Sequence, residues 1–400
     1  MAAGVAFDML MKRETILGVL RRYHAPGNTF SQYYRMGVQS EPVATIYGNK
    51  GQYDIFDGTR TLGAFSAFGA PPTRINRKPI GSVPIVVPRQ YMAIDVNLAE
   101  LYGSRDLGQN FMPPVRGRGL AYYQAQLLYM KTRMNTTTEW MASQLMQNNG
   151  FGVKNFGGGA TPILVPCLAT DPQRMITNEG RVPSDHFVDC NGIFTDSWED
   201  PTTDIPGQLM ELQFTAAREN GRNLTEVWVN GTVGRYLFNN DKLSKQVGLS
   251  NRIFDTLNPS KTYTDEQEFP DTGYTVVFGA LPTWKFHIYN QGYVDYGTAE
   301  TMAAQTSEAN WKPFIEANRA VITPPPPTAG EPWCGMCAGS ELAQWSELSP
   351  PEEVVGFGMG ANRAIEPPRI EGKALYNGAP VLLEPKAIYA PTVTGASFSS

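Results

Sequence analysis

Residues 58–93 form an acid-free, Pro/Gly-rich stretch that is followed by one long helical segment, and this order limits how the chain can fold. The two halves of the stretch, 61–68 and 84–93, are rich in aromatic and β-branched residues, and prolines and glycines interrupt the part between them. This pattern predicts two β-arms joined by a long irregular tip, here called the basic ribbon. Because an isolated hairpin is only marginally stable in water, we expect the ribbon to lie on another surface.

The ribbon carries charge of one sign. It contains no Asp or Glu, and its basic residues are Arg60, Arg74, Arg77, Lys78 and Arg89. Such a surface attracts a partner of opposite sign. A later segment, here called the acidic turn, offers one with Asp196, Glu199, Asp200 and Asp204. We therefore expect these two sets of residues to meet between neighbouring copies of the chain.

The composition favours β-structure and excludes several functions. Of the 400 residues, 42% are hydrophobic, and 39 Gly and 31 Pro favour strands and long loops over helical bundles. A net charge of −5 disfavours a dedicated nucleic-acid-binding domain, which would be basic. No apolar run approaches the ~18 residues of a membrane-spanning helix. The N-terminal charges do not fit a signal peptide, so we expect synthesis in a cytoplasm and reduced cysteines.

The clearest single element is a helix over residues 120–147. Its apolar residues recur at intervals of three and four: Leu120, Tyr123, Leu127, Met130, Met134, Met141 and Leu145. The following Asn148-Asn149-Gly150 is a typical helix stop. A shorter amphipathic helix is predicted over residues 5–23.

Beyond this helix the pattern changes twice. Strand and loop are predicted over 150–203, and an α/β pattern begins at residue 205. We predict helices over 208–220 and 233–246, and strands over 224–229, 274–278, 283–289, 319–323 and 379–393. The prolines at 324–327 form a spacer, and residues 331–371 are expected as an acidic excursion at the surface. Taken together, these elements predict the α+β class.

Cys334 and Cys337 form a Cys-x-x-Cys motif like that of thioredoxins. In that fold the motif follows an early strand of a small domain, whereas here it follows four prolines late in a long chain. We therefore expect a surface loop with two free thiols, or with one local disulfide that forms after release from the cell. A zinc site would also need Cys167 and Cys190, which are isolated singles without the ligand spacing of a structural site.

The remaining motifs do not indicate an enzyme either. Asp185, His186 and Cys190 are capable of metal or nucleophilic chemistry, but their Pro/Gly-rich surroundings predict a solvated loop. His287 alternates with apolar residues inside a strand. The glycine clusters lack dinucleotide spacing, and no nucleotide-binding loop or nucleophile elbow is present in the sequence. We expect no catalytic residue, no metal and no cofactor.

With these elements in order, the chain resembles the major capsid proteins of tailed phages, and in particular the lambda-type family called major capsid protein E. The resemblance covers roughly residues 25–393. It is carried by the ribbon, the helix that follows Val115-Arg116-Gly117-Arg118, the acidic turn, the α/β elements, the phrase WKPFIEAN at 311–318, and Ala379-Pro380-Val381-Leu382. The joint order of these segments, rather than any one phrase, makes the resemblance.

The resemblance implies the Hong Kong 97 capsid fold with the following division of the chain. The N-terminal arm is 1–57, the E-loop 58–93, the P-domain 94–204 with the spine helix at about 120–147, the A-domain 205–378 with a Pro-rich, acidic insertion at about 324–370, and the C-terminal strand 379–400 returning to the P-domain.

The resemblance also implies a function. It indicates a non-enzymatic shell protein that assembles with itself into hexamers and pentamers around packaged double-stranded DNA. A separate scaffolding protein, a portal and a decoration protein are the further partners it implies, and no membrane is involved. The implied location is the capsid of the virion, with assembly in the cytoplasm of the bacterial host.

Two alternatives remain open at this point. An encapsulin-like nanocompartment shell would share the fold, and its cargo would be an enzyme rather than DNA. A thiol–disulfide oxidoreductase using Cys334 and Cys337 belongs to a different class of protein, and reduction of insulin would identify it.

Overall fold

The computed structural model describes twelve stretches of the chain, and the account below is confined to them: 29–36, 42–56, 80–97, 115–156, 163–167, 175–177, 182–245, 273–294, 311–328, 332–345, 350–364 and 369–395. These stretches fall into two compact units. The first unit is drawn from 1–51, 84–139 and 335–380, and the second from 52–83, 140–334 and 381–400. The predicted amphipathic helix at 5–23 and the first ribbon arm at 61–68 lie outside the described residues.

Five α-helices lie in the described residues, and the second is much longer than the others. They are α1 (Thr29–Tyr33), α2 (Val115–Asn148), α3 (Ile205–Glu219), α4 (Gly231–Asn239) and α5 (Asp241–Lys245). Short 3₁₀ turns occur at Ser184–Phe187 and Pro385–Ala387. No described helix combines the length and apolar character needed to cross a bilayer.

The described strands are more numerous than the helices and lie in several sheets. They are β1 (Ala44–Tyr47), β2 (Lys50–Phe56), β3 (Ile80–Val86), β4 (Arg89–Asn97), β5 (Gly150–Phe156), β6 (Ile163–Cys167), β7 (Met175–Thr177), β8 (Glu226–Val229), β9 (Gly273–Val276), β10 (Lys285–Tyr289), β11 (Gly292–Val294), β12 (Trp311–Pro313), β13 (Ala320–Thr323), β14 (Cys334–Ala343), β15 (Glu352–Val355), β16 (Phe357–Ala364) and β17 (Arg369–Leu382). The predicted α+β class is confirmed.

The long helix α2 forms where the apolar spacing predicted it and is longer at its N-terminal end. The side chains of Tyr123, Leu127 and Met130 are buried, as are those of the later apolar positions of the same face, Met134, Met141 and Leu145. The helix stops where Asn149 takes a positive φ of 57°. With 34 residues it is about 50 Å long.

The first unit is organised around a mixed sheet. Among the described residues this sheet has six strands in the order β1-β14-β17-β16, with β15 on β14 and β4 on β17. Strand β1 is parallel to β14, whereas β4 and β16 each pair antiparallel with β17. Helix α2 packs closely on β17, because a Cβ added at Gly372 would lie 3.1 Å from Leu127 Cδ2.

A buried carboxylate in α2 holds helix α1 of the same unit. Glu139 is fully buried, and its two oxygens accept hydrogen bonds from the backbone N–H groups of Phe30 and Ser31, both at 2.8 Å. These groups lie at the N-terminal end of α1, where backbone donors have no helical acceptor and the helix dipole favours negative charge.

The second unit contains a four-stranded sheet in the order β13-β8-β10-β9. The pair β8 and β10 is parallel, and the flanking pairs are antiparallel. Helices α3 and α4 contribute Leu209, Leu212, Val233 and Leu237 to a buried core that also includes Trp198 and the apolar residues of the sheet. The strands predicted at 224–229, 283–289 and 319–323 are confirmed to within two residues.

One predicted helix of this unit is wrong in a specific way. The apolar spacing predicted a single helix over 233–246, but the chain is extended at Asn240, where ψ is 124°. The side-chain oxygen of Asn240 accepts hydrogen bonds from the N–H groups of Lys242 and Leu243, and its NH₂ group donates to the carbonyl of Thr203. Asn240 therefore caps α5 and divides the segment in two.

The excursion predicted over 331–371 is also wrong. The described residues of this span form β14, β15, β16 and the start of β17, and these strands lie in the sheet of the first unit. The glycines that favoured a loop serve close strand packing instead: a Cβ at Gly335 would lie 2.6 Å from Val43, and one at Gly339 would lie 2.7 Å from the carbonyl of Gly48. The strand predicted over 379–393 ends at Leu382 and gives way to a 3₁₀ turn.

Candidate intersubunit surface

The acidic turn is fixed to the core of the second unit by a tryptophan. Trp198 is fully buried, and its indole N–H donates to Gln208 Oε1 at 2.8 Å. The hydroxyl of Thr203 donates to the carbonyl of Ser197 at 2.6 Å and closes the turn. These contacts leave Asp196, Glu199, Asp200 and Asp204 exposed to solvent.

The four carboxylates differ in what they contact within their own chain. Asp200 accepts hydrogen bonds from the backbone and the hydroxyl of Thr202, both at 2.8 Å, and the backbone bond in particular lowers the pKa of Asp200. Asp204 caps α3 at Gly207 and lies 3.5 Å from the ammonium of Lys242. Within the described residues, no ion pair engages the carboxylates of Asp196 and Glu199, which makes them the more available contacts for another copy.

Of the basic residues assigned to the ribbon, only Arg89 lies in the described part of the chain. Its guanidinium forms a bidentate pair with Glu341, through Nε to Oε2 at 2.8 Å and Nη2 to Oε1 at 2.6 Å. The guanidinium also lies over the ring of Tyr91. Arg89 is therefore held by its own chain, and Glu341, which lies 252 residues later, was missed because no local pattern connects the two. Arg60, Arg74, Arg77 and Lys78 lie outside the described residues.

The paired strands on either side of residues 57–79 are half-buried. Strands β2 and β3 pair as a two-stranded sheet, and the hydroxyl of Ser82 donates to Gln52 Oε1. One face carries buried Tyr53, Ile55, Val83 and Ile85, and the alternate residues are exposed. This pair of strands therefore has a covered face within its own chain. Strand β2 precedes the ribbon of 58–93, and the arm predicted at 84–93 is divided between β3, which pairs with β2, and β4, which pairs with β17.

Helix α3 presents an apolar pair to solvent that the sequence analysis missed. Met210 is 50% exposed and Phe214, one turn later, is 76% exposed, whereas Leu209 and Leu212 face the core. Residues four apart lie on the same face of a helix. The sequence offered one signal of this exposed pair, because Phe214 lies outside the stripe of apolar positions that α3 buries.

The predicted surface loop at Cys334 and Cys337 is wrong, because both thiols are buried in strand β14. Residues three apart in a strand point to opposite faces and lie about 10 Å apart, beyond the Cα separation that a disulfide allows. Burial raises the pKa of Cys337 to about 12. A thiol of this kind is protonated and inert at neutral pH, which argues against the oxidoreductase alternative.

The prediction of a solvated loop around Asp185, His186 and Cys190 is wrong as well. His186 and Cys190 are buried, and the Cys190 thiol donates to the carbonyl of His186. His287 is confirmed within a strand, where it stacks on Trp228 at 3.9 Å and hydrogen-bonds to Glu226. In the part of the chain that the structure describes, no group of three or more His, Cys, Asp or Glu residues is placed to hold a metal ion.

No protein-family model matches this chain, and no curated protein matches it in sequence. Among solved structures, a phage-related protein from Bordetella bronchiseptica RB50 is 14% identical, with 94% of this chain and 95% of that chain covered at a TM-score of 0.48. The capsid of Ralstonia phage GP4 is 7% identical, with 93% and 92% covered at 0.47. The capsid structure of the cyanophage P-SCSP1u is 10% identical, with 94% and 90% covered at 0.41.

Proposed function

We propose that this chain is the major capsid protein of a tailed double-stranded DNA phage and has the Hong Kong 97 fold. In this proposal the chain assembles with itself into the hexamers and pentamers of an icosahedral head, without catalytic activity. The observation that carries the proposal is the order of the described elements: the paired strands β2 and β3, the 34-residue helix α2, the α/β sheet of the second unit, and the final strand β17. The sequence resemblance implied this same order.

The surface chemistry supports an assembling protein. Exposed Phe214 and Met210 on α3 belong to residue types that are enriched on surfaces that meet another chain. Contacts that are not self-complementary generate rings and closed shells when they repeat. The proposed division keeps the N-terminal arm at 1–57, the E-loop at 58–93 and the P-domain at 94–204. It limits the A-domain to 205–334, because residues 335–380 belong to the first unit.

The partners and location follow from this function. The head would enclose double-stranded DNA held without sequence preference, and a scaffolding protein, a portal and a decoration protein are the additional partners. The protein would be located in the virion capsid after assembly in the host cytoplasm.

Electron microscopy of the expressed full-length chain tests the proposal. We expect hexameric or pentameric rings, or closed shells. A chain that remains monomeric at concentrations where rings are expected would contradict the proposal. Shells that enclose a protein cargo instead of DNA when recovered from the native host would favour the nanocompartment.

A matched variant separates folding from assembly. Deleting residues 73–78 shortens the connection between β2 and β3 but leaves β3, which begins at Ile80, intact. We expect a folded chain that forms no closed shell, because residues 57–79 serve neighbouring copies. Normal shells from this variant would show that the ribbon tip is not an assembly element.

A further inference from the structure

Helix α3 carries an exposed stripe on the side opposite to the face that it buries. Met210 and Phe214 lie in the middle of the helix and are 50% and 76% exposed. Glu211 and Arg218 are exposed as well. Residues three, four and seven apart share one face of a helix, so these four side chains form one outward surface, here called the α3 stripe.

The two charges of the α3 stripe have opposite signs and lie on either side of Phe214. Glu211 and Arg218 are seven residues apart, which corresponds to about two helical turns and about 10 Å along the axis. Both are exposed, and within the described part of the chain neither forms an ion pair with its own chain. The point midway between the two charges falls beside Phe214.

This arrangement is complementary to itself. When two copies of the stripe lie antiparallel, a two-fold axis through the midpoint places Glu211 of each copy opposite Arg218 of the other. The same axis brings the Phe214 rings of the two copies together, and aromatic rings attract each other in offset or edge-to-face contact. A parallel arrangement in the same register would instead place like charges together.

We propose that the α3 stripe is a contact between two copies of this chain, in which the two helices pair antiparallel about a two-fold axis. The occupant is a second copy because one stripe supplies both the charge and its complement. A self-complementary contact closes with two copies, so in a shell it would join neighbouring rings rather than form a ring. The inference assigns a contact that the proposed function leaves open, and it does not require the capsid assignment.

The pairing is weak when it acts alone. Two turns of one helix cover less than the ~1,200 Å² that a standard interface buries. The stripe therefore contributes register rather than most of the affinity, and the opposite charges fix which orientation the two helices adopt. A method that captures brief contacts is consequently needed to test it.

A mixture of two full-length variants provides the test. One chain carries Glu211→Lys, and the other carries Arg218→Glu. Either variant alone would bring like charges together at both ends of the antiparallel pair, whereas a mixed pair has opposite charges at both ends. The probe is a carbodiimide, which joins an amine directly to a carboxylate in contact with it. Because neither chain contains both introduced groups, a link between them forms only between two chains.

We expect mass spectrometry of the mixture to show the introduced lysine joined to the introduced glutamate. The matched control replaces Arg218→Glu by Arg235→Glu, which changes an exposed arginine of the same unit that lies on α4. Severalfold less link is expected at position 235. No link at position 218, or as much at 235 as at 218, would overturn the proposal. Exposed substitutions of this kind seldom disturb folding.

The aromatic contact is tested in the same mixture. Adding Phe214→Ser to both chains should lower the yield of the link severalfold, because the rings at the two-fold axis are lost. Adding Leu342→Ser, which changes another apolar residue that is 73% exposed, should leave the yield unchanged. An equal yield with and without Phe214 would contradict the proposed packing.

Electron micrographs of the wild-type chain separate this inference from the proposed function. Rings or shells from a chain whose variants give no link at position 218 would overturn the α3 pairing and leave the capsid proposal standing. A link at position 218 without rings or shells would support the pairing and contradict the capsid proposal.

Discussion

Individual buried residues set how this chain responds to acid. His287 and Glu226 form a pair inside the β8–β10 sheet, with Lys285 3.4 Å from the second Glu226 oxygen. Burial lowers the pKa of His287, and the hydrogen bond to Glu226 offsets this only in part. Burial raises the pKa of Glu226, but the hydrogen bond from His287 and the nearby charge of Lys285 outweigh burial and leave that pKa below its usual value. The pair is thus held as neutral His and ionised Glu.

We predict that the free energy of unfolding falls as the pH is lowered from 7 to 5. The unfolded chain protonates His287 more readily than the folded chain does, so this contribution is lost as the pH falls below about 6.5. Glu226, whose folded pKa is also lowered, loses its contribution at still lower pH. The loss from His287 reaches at most about 1.4 kcal/mol per pH unit.

Chemical denaturation at stepped pH measures this loss. In His287→Gln the slope between pH 7 and 5 should become shallower, although the variant is less stable overall because Glu226 loses a partner. Slopes, rather than absolute stabilities, are therefore compared. Equal slopes in the wild type and the variant would exclude His287 as the responsible group.

At the scale of elements, short-range sequence patterns predicted the structure correctly where neighbouring residues determine it. The three- and four-residue spacing in α2 placed Tyr123, Met134 and Leu145 on the buried face, and the stop at Asn149 was predicted from residue type. Strand β14 shows the opposite case. Its Gly and Cys residues resemble a loop locally, and they form a buried strand because β1 and β17, far away in sequence, pair on either side of it.

The burial of β14 leads to a prediction for Cys337. Changing Cys337 to Ser buries a polar hydroxyl away from water, so the free energy of unfolding should fall by about 1–3 kcal/mol. Cys337→Ala, which removes the sulfur without adding a polar atom, is the matched control and should cost less. Denaturant titration measures both. A serine variant as stable as the wild type would restore the surface-loop interpretation.

At the scale of the whole molecule, the charge distribution is the property most relevant to the proposed assembly. The described acidic turn exposes Asp196 and Glu199, while Arg89 is already paired with Glu341 of its own chain. The basic residues that we still expect to bind a neighbouring copy are therefore Arg60, Arg74, Arg77 and Lys78. Exposed ion pairs contribute only ~0.2–1 kcal/mol each, but a shell repeats each pair many times.

Reversing Arg74, Arg77 and Lys78 to Glu should slow or misdirect assembly and leave the melting temperature of unassembled subunits nearly unchanged. Charge pairs between surfaces act mainly on association rate and register. Light scattering during assembly at low and moderate salt measures the effect. Adding Asp196→Lys and Glu199→Lys to the reversed chain should restore part of the rate, because the attraction is re-formed with exchanged signs. Normal assembly of the triple variant at all salt concentrations would contradict the charged-ribbon mechanism.

The features that could be predicted from the chain alone were those set by neighbours in sequence. Helical periodicity, the helix stop at Asn149 and the α/β alternation after residue 205 are local, because hydrogen bonds in a helix and side-chain alternation in a strand involve residues a few positions apart. The capsid resemblance likewise followed from the order of segments.

The tertiary structure settled the features that depend on distant partners. Glu341 neutralises Arg89, β1 and β17 pair on either side of the strand that holds Cys337, and Ile388 and Glu219 hold the ring of His186 by hydrogen bonds. Each of these partners is separated by tens to hundreds of residues, and the cost of an unpaired buried charge or polar group acts only once the chain has closed around it. Residues that the sequence predicted to lie in a loop, a motif or an exposed charged surface therefore lie in a strand, in the core and in an ion pair of the fold.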